Sequence, residues 1–459
     1  MLLLYLLHLG GTGFLGPDEP RYASAGREMA QSGDWITPRL NGQPWFEKPP
    51  LLYWMTAIAT KLHFRDEWAA RLPLALASVA FLIFFFQVLS REFSDRIAYA
   101  ATIILATSAG WMAYSFAALT DLPMAAALNA AILIALFDTR RHGTGGVGPG
   151  WIAGALLGLS ILAKGFVPVV LFAPLLLITR RKRLATLAGA IVVAAPWYLL
   201  CYWRNGAAFW NDFFWKQHVA RFLTPSLEHV QPFWFYLPIL LAGFFPWTPL
   251  FGLAARSRLY DDVRVRLLAG WAIYGLIFFS AAKNKLPGYV LPLLPAIAIV
   301  LAVGLEKAPA KQWWLAASGL LLVAIPAIAS LLPEALLVGT RQAHVEFAPA
   351  LPFLLVAGAV WFLAWRGQNE FALLALAIAA ATGVLYLKTR TFPILDERVS
   401  VRAFWRANTP RIETACLEGV SRTWEYGLDY YAGHPLPVCA SASRQTHISA
   451  KNSRLILLP

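Results

Sequence analysis

Long apolar stretches alternate with short polar ones along the whole chain. Thirteen of them read as candidate membrane spans: about 2–15, 70–90, 97–117, 121–138, 151–163, 166–179, 184–203, 233–254, 267–281, 288–304, 313–332, 350–365 and 371–387. Several are shorter than the roughly 20 residues a helix needs to cross hydrocarbon, so their ends are expected to reach into the loops. Apolar residues run continuously within them and do not alternate with polar ones, which argues against barrel strands. Only helices and closed barrels satisfy their backbone in lipid, so the pattern predicts an all-α polytopic membrane protein. The first stretch is short and has no basic residue before it, so the sequence reads as beginning inside its first span. With no basic n-region and no small-x-small site, it does not read as a signal peptide.

The main polar interruption is a first loop over 16–69. Its centre, 17–50, reads PDEPRYASAGREMAQSGDWITPRLNGQPWFEKPP. Asp18 fits the N-cap of a helix over 19–31, where Tyr22, Ala25, Met29 and Ala30 recur at helical spacing and Gly33 is a stop. Residues 51–64 are apolar, too short to span, and follow Pro49-Pro50, which suit a helix start. Both segments are expected to be juxtamembrane helices lying along the outer surface. Beyond 388 the chain changes character. ETACL, WEYGLDYYAG, PLPVCA and RLILLP mix short β-type runs with one helical stretch. They predict a small α/β domain over 388–459, small enough to need docking on a membrane domain of 1–387.

Composition sharpens this picture. The 459 residues are 58% hydrophobic and 14% charged, where a soluble domain is about a quarter charged. A soluble globule is excluded. The net charge of +14 would suit a nucleic-acid partner, but the basic residues sit in short loops between apolar runs: Arg91 and Arg96, Arg140 and Arg141, Arg180 to Arg183, Arg256 to Arg266, Lys307 and Lys311, and Arg366. That is the positive-inside pattern, and it predicts no nucleic-acid partner. These loops are expected to be cytoplasmic. Residues 16–69, 204–232, 282–287, 333–349 and the tail then face outward. Cys201 lies in an apolar run; Cys416 and Cys439 lie in the tail and could pair if the tail is outside the cytoplasm.

The outward face gathers polar outliers from five separate segments. The first loop supplies Asp18, Glu19, Arg21, Tyr22, Glu47 and Lys48. FAALTDLPM supplies Asp121, and ILAKGF supplies Lys164. FFWKQHVARFL supplies Trp215, His218 and Arg221, and AAKNKLPGYVLP supplies Lys283, Lys285 and Tyr289. Each has an ordinary explanation alone. Asp18 and Glu19 can begin a helix, Asp121 can cap one, Lys48 and Lys164 can snorkel to lipid phosphates, His218 can be a surface histidine, and Tyr289 can belong to an aromatic belt. Charges beside apolar stretches are costly, and their convergence on one face points to function. Such a site suits a lipid-linked glycosyl phosphate. That leaving group needs cations and hydroxyls to hold its charge, and the acceptor hydroxyl needs one carboxylate base within reach. Direct inverting displacement needs no acid, unlike hydrolysis.

These residues also carry a resemblance. The first loop reads D-E-x-R-Y-x-x-x-x-R-E-M, then S-G-D-W, P-R and F-E-K-P. It resembles the first outer loop of the aminoarabinose-transferase and protein O-mannosyltransferase families of the GT-C superfamily. ILAKGF, FFWKQHVARF, QPFWFYLP and KLPGYVLP follow in the order of further family segments. The resemblance implies a GT-C enzyme of about thirteen spans in the bacterial inner membrane. It would move a sugar from a polyprenyl-phosphate donor to a periplasmic acceptor, lipid A in the aminoarabinose branch. It implies Asp18 as base or acceptor-orienting acid, with Glu19 beside it, and Asp121 as a second acid. Lys48, Lys164, Arg21, Tyr22, Tyr289 and Lys285 would hold donor phosphate, and a divalent metal ion would bind at Glu47 and His218. A transporter of lipid-linked anions would instead show an internal repeat and polar residues across the membrane; the first loop has no repeat. A structural subunit leaves the clustered acids unexplained.

Overall fold

The computed structural model describes residues 3–141, 147–179, 182–220, 230–338, 351–439, 446–451 and 454–458. Among these, six helices are long and apolar enough to cross a membrane: Asp66–Glu92, Arg183–Gln217, Val263–Ala281, Pro287–Glu306, Lys311–Leu337 and Asn369–Ile412. A pair bent by 61°, Asp95–Thr107 and Ala109–Ser115, makes a seventh if counted as one span. Asp121–Phe137, Gly148–Lys164, Val167–Ile178 and Pro352–Trp365 are shorter apolar helices. The bend at Ser108 is held by its own side chain, which donates to the Leu105 carbonyl (2.8 Å), while the Ala109 N–H donates to Phe245 O (3.0 Å).

Two expected spans differ. At 2–15 only Leu3–Leu6 makes a helical turn, and the chain then runs irregularly past Gly10, Gly11 and Gly13. Glycine weakens a helix, and carbonyls freed from it need partners inside a protein. Three buried cations from distant helices supply them. Arg71 donates to the carbonyls of Leu9 (2.9 Å), Thr12 (2.7 Å) and Gly13 (3.0 Å); Lys388 donates to Leu4 O (2.9 Å) and Leu7 O (2.6 Å); Arg402 donates to Gly10 O (2.9 Å). The stretch at 233–254 is broken into Tyr236–Gly243, Thr248–Leu250 and Phe251–Ala254. Pro246 lies in the break and removes one backbone donor.

The first outer loop folds as two packed helices, Asp18–Ser32 and Leu51–Lys61. Tyr22, Ala25, Met29 and Ala30 are buried as their spacing predicts, and Gly33 ends the first helix in the left-handed region (φ 71°). Asp18 is the first helical residue, not the cap; Pro17 precedes it, and the Asp18 carboxylate turns to Arg21. The two helices touch at Gly26, where an added Cβ would meet Thr56 Cβ at 2.6 Å and Tyr53 O at 3.1 Å. Between them Arg39–Leu40 and Gln43–Pro44 form a small antiparallel hairpin. Glu28 ties its turn to the helix by accepting from the N–H groups of Asn41 (2.7 Å) and Gly42 (2.9 Å).

The C-terminal region is a small α/β unit, as expected, but it begins later than 388. The Asn369–Arg398 helix runs unbroken through that position, because its last turns still pack and Lys388 still has its carbonyl partners. The unit then comprises helices Arg402–Ile412 and Arg422–Ala432 and a three-stranded sheet. In that sheet Cys416–Glu418 pairs in parallel with His447–Lys451, which pairs antiparallel with Arg454–Leu458. Val401, Ile412, Leu417, Leu428, Leu436 and Ile448 form its own apolar core. Cys416 and Cys439 are joined in a disulfide, and Cys201 is a buried free thiol.

The Arg71 guanidinium also grips Glu19, at 2.9 and 2.8 Å, and both side chains are buried to 3% exposure. Breaking one partner of a buried pair leaves an uncompensated charge and costs about 3–5 kcal/mol. Arg71→Ala is therefore expected to lower the unfolding midpoint of the detergent-purified protein strongly. A midpoint equal to that of the wild type would show that the pair does not hold the segment.

Candidate active site

The start of the Asp18–Ser32 helix faces a cavity of about 140 Å³ lined by residues from all five segments of the predicted site. Asp18 and Tyr22 come from one side of that helix, one turn apart. Glu47 and Lys48 come from the turn before Leu51–Lys61. Asp121 stands at the N-terminus of the Asp121–Arg141 helix, Lys164 at the C-terminus of Val147–Lys164, and Tyr289 in the turn before Leu294–Glu306. Met124, Val167, Phe278 and Phe279 make an apolar wall, and Gln217 closes it from the second long loop.

Charges alternate around this cavity. Arg21 bridges Asp18 and Glu47, reaching Glu47 Oε2 at 3.1 Å, and its Nε donates to Pro17 O at 3.0 Å. Glu47 Oε1 lies 3.2 Å from Lys48 Nζ and accepts from the Tyr22 hydroxyl at 3.3 Å. Lys164 pairs with Asp121 and stands 4.9 Å from the centre of the Tyr289 ring. Burial works against the Arg21 charge, but Glu47 and then Asp18 outweigh it and raise its pKa. Burial first, and Glu47 next, push the Tyr22 hydroxyl well above its ordinary value, so it remains a donor. Gly288 packs against this centre: an added Cβ would meet the Tyr114 hydroxyl at 2.5 Å and Asp121 Oδ1 at 2.6 Å.

Not all the predicted residues arrive. Glu19 is one helical step from Asp18, about 100° round the axis, and points into the core. There it holds Arg71 and accepts from the N–H groups of Leu15 (2.8 Å) and Ala118 (2.7 Å). Its place is structural, not on the cavity. Lys285 also misses it: Asn284 and Leu286 line the cavity, while the Lys285 ammonium donates to Gln231 O (2.9 Å) and Ala282 O (2.5 Å). Its neighbours alternate across an extended segment, which turns Lys285 to the other side. Arg21 stands behind the carboxylates without lining the cavity. The side chain of His218, and Arg221, lie outside the described residues. Tyr114 is a neighbour that the sequence did not single out, since a lone tyrosine in an apolar run carries no spacing signal.

The implied metal ion fits the described residues poorly. Both Glu47 oxygens are taken up by Arg21, Tyr22 and Lys48, which a metal would have to displace. Among the described residues no three His, Cys, Asp or Glu side chains cluster as a ligand set. No step below runs through a metal.

Comparison with known proteins agrees with this architecture. The family model described as Dolichyl-phosphate-mannose-protein mannosyltransferase matches residues 47–203. The undecaprenyl phosphate-alpha-4-amino-4-deoxy-L-arabinose arabinosyl transferase of Pectobacterium carotovorum subsp. carotovorum is 33% identical over 384 residues, covering 79% of this chain and 68% of that protein. The enzyme of the same name from Aeromonas hydrophila subsp. hydrophila is also 33% identical, covering 78% and 69%. Among solved structures, ArnT from Cupriavidus metallidurans bound to undecaprenyl phosphate superposes with a TM-score of 0.76 at 26% identity, over 96% of this chain and 85% of that one. Shared length, identity and fold place this multi-pass membrane protein in the aminoarabinose transferase-like family of GT-C glycosyltransferases.

Proposed function

We propose that the chain transfers aminoarabinose, or a similar sugar, from undecaprenyl phosphate to lipid A on the periplasmic side of the bacterial inner membrane. The observation that carries this reading is the cavity itself, where three carboxylates and two lysines from three separate segments meet beside an apolar wall. A lipid-linked glycosyl phosphate asks for that combination. The names of the relatives support the donor and the sugar. Basic loops opposite the cavity support the orientation, and so does the Cys416–Cys439 disulfide, which suits an oxidising compartment.

In the proposed step the acceptor hydroxyl oxygen bonds to the anomeric carbon as the bond from that carbon to the phosphate oxygen breaks. The bonding pair leaves on the undecaprenyl phosphate. The acceptor proton passes to Asp18, whose side chain is the most open of the cavity's three acids at 40% exposure. Lys48 and Lys164 exchange their carboxylate partners for the phosphate, and the Tyr22 and Tyr289 hydroxyls stand beside it. The cations are thus held ready by charges they can release, with little reorganisation during the reaction. Asp121, released from Lys164, orients the acceptor. The match of residues 47–203 to a protein mannosyltransferase model favours one second reading, a protein acceptor.

Three tests follow. In proteoliposomes with labelled undecaprenyl-phosphate sugar, Asp18→Asn is expected to lower kcat by roughly 10²- to 10⁴-fold, the usual contribution of a positioned base; undiminished transfer removes Asp18 from the mechanism. Lys48→Ala is expected to weaken donor binding by roughly 10- to 100-fold and to leave acceptor affinity within a small factor. Gly288→Ala is expected to displace Asp121 and lower kcat with little change in the unfolding midpoint; normal turnover would show that the contact relaxes freely. For the acceptor, mass spectrometry of lipid A with and without the gene decides: unmodified lipid A in both strains, with mannosylated protein lost in the mutant, would establish the protein acceptor instead.

A further inference from the structure

The small C-terminal unit touches the active-site loop through one face of its Arg422–Ala432 helix. Asp429 Oδ2 accepts from Asn41 Nδ2 at 3.5 Å, and the Tyr430 ring lies under the Arg27 guanidinium at 4.1 Å. Tyr430 also packs edge-on against Phe14 at 4.7 Å. Tyr431 bonds the Phe14 N–H and Glu67, and Arg402 reaches Glu67 at 3.1 Å. These contacts explain docking. One more goes to the site itself: the Tyr426 ring lies 5.1 Å from the Arg21 guanidinium carbon.

Arg21 is the group through which Asp18 and Glu47 are held. Each of its three nitrogens donates to one partner, Nε to Pro17 O, one Nη to Glu47 and the other to Asp18. The faces of the guanidinium plane meet aromatic rings. Trp45 and Tyr22 approach from the first loop at 5.7 and 6.0 Å, and Tyr426 approaches more closely from the far end of the chain. A guanidinium stacked between rings loses rotamer freedom and water while keeping its in-plane donors. The Tyr426 hydroxyl is not needed for this; it faces Arg422 Nη2 at 3.5 Å.

We propose that Tyr426 is a positioning residue for sugar transfer: its ring, packed over Arg21, keeps that guanidinium between Asp18 and Glu47 and so holds the base and the Lys48 partner in register. The C-terminal unit is then part of the catalytic framework, and the proposal rests on the transfer reading above. Tyr426 itself touches neither donor nor acceptor. Its loss lets Arg21 swing away from Asp18, which lowers turnover more than donor affinity.

The test compares Tyr426→Ala, Tyr426→Phe and Arg27→Ala in the full-length protein, with transfer kinetics, donor binding and unfolding midpoint measured for each. Tyr426→Ala is expected to lower kcat by roughly 3- to 30-fold, with donor KM and the midpoint close to wild type. Tyr426→Phe keeps the ring and is expected to restore kcat. Arg27→Ala breaks a docking contact with Tyr430 and is expected to leave kcat unchanged. Equal loss in Tyr426→Ala and Arg27→Ala, or no rescue by Tyr426→Phe, overturns the proposal, and so does normal kcat in Tyr426→Ala. If Tyr426→Ala fails to fold, Tyr426→Leu replaces it, with the same expectations. Wild-type transfer abolished by Asp18→Asn alongside an unaffected Tyr426→Ala would refute this inference only; no transfer by wild type would refute the functional reading instead.

Discussion

The ion pair of Arg71 with Glu19 is the constraint on which the cavity end of the molecule depends. One guanidinium satisfies the carbonyls of Leu9, Thr12 and Gly13 and also both oxygens of Glu19. A membrane helix is thereby locked to an irregular segment and to the first turn of the outer-loop helix. Charges this deeply buried are tolerable only when every donor and lone pair is used, and here they are. Because Glu19 is pinned inward, the helix has one orientation, and Asp18 must face the cavity.

The cavity uses charge in the opposite way. Its pairs lie beside a space that a ligand can enter. Asp18, Glu47 and Asp121 hold Arg21, Lys48 and Lys164 in fixed positions around it. On the proposed reading, an arriving phosphate would meet cations whose side-chain entropy has already been lost, so ordering them would add little cost to binding. The apolar wall of Phe278, Phe279 and Val167 lowers the local dielectric and strengthens each of these interactions.

The first loop is also fastened to a second helix of the bundle. Trp197 donates to Ile36 O (2.9 Å), Asn205 to Thr37 (2.9 Å) and Arg204 to Asp34 (2.9 Å), so the end of the Arg183–Phe209 helix is fastened to the first loop. The C-terminal unit fastens the same loop from the other side through Tyr426, Asp429 and Tyr430. A 459-residue chain thus brings its far end back to within one ring of its eighteenth residue.

Much of this was legible beforehand. Continuous apolar runs dictate helices in lipid, and the helices appeared where the runs are. The period of Tyr22, Ala25, Met29 and Ala30 predicted their burial, and Gly33 the helix end. Clustered charge on one face predicted a site, and Asp18, Tyr22, Glu47, Lys48, Asp121, Lys164 and Tyr289 do meet there. The sequence therefore determined the fold class and most of the charged residues that line the cavity, because hydrophobic periodicity and the cost of charge near lipid act locally. It did not determine the roles within that set. Glu19 and Asp18 are adjacent carboxylates with the same local signal, and only the position of Arg71, fifty residues away, turns one into a strut and leaves the other at the cavity. The irregular start of the chain, the inward Lys388, the buried Lys285 turned away from the cavity and the Tyr426–Arg21 contact are likewise decisions of the tertiary structure, since each depends on which partner from a distant segment arrives to satisfy a buried polar group.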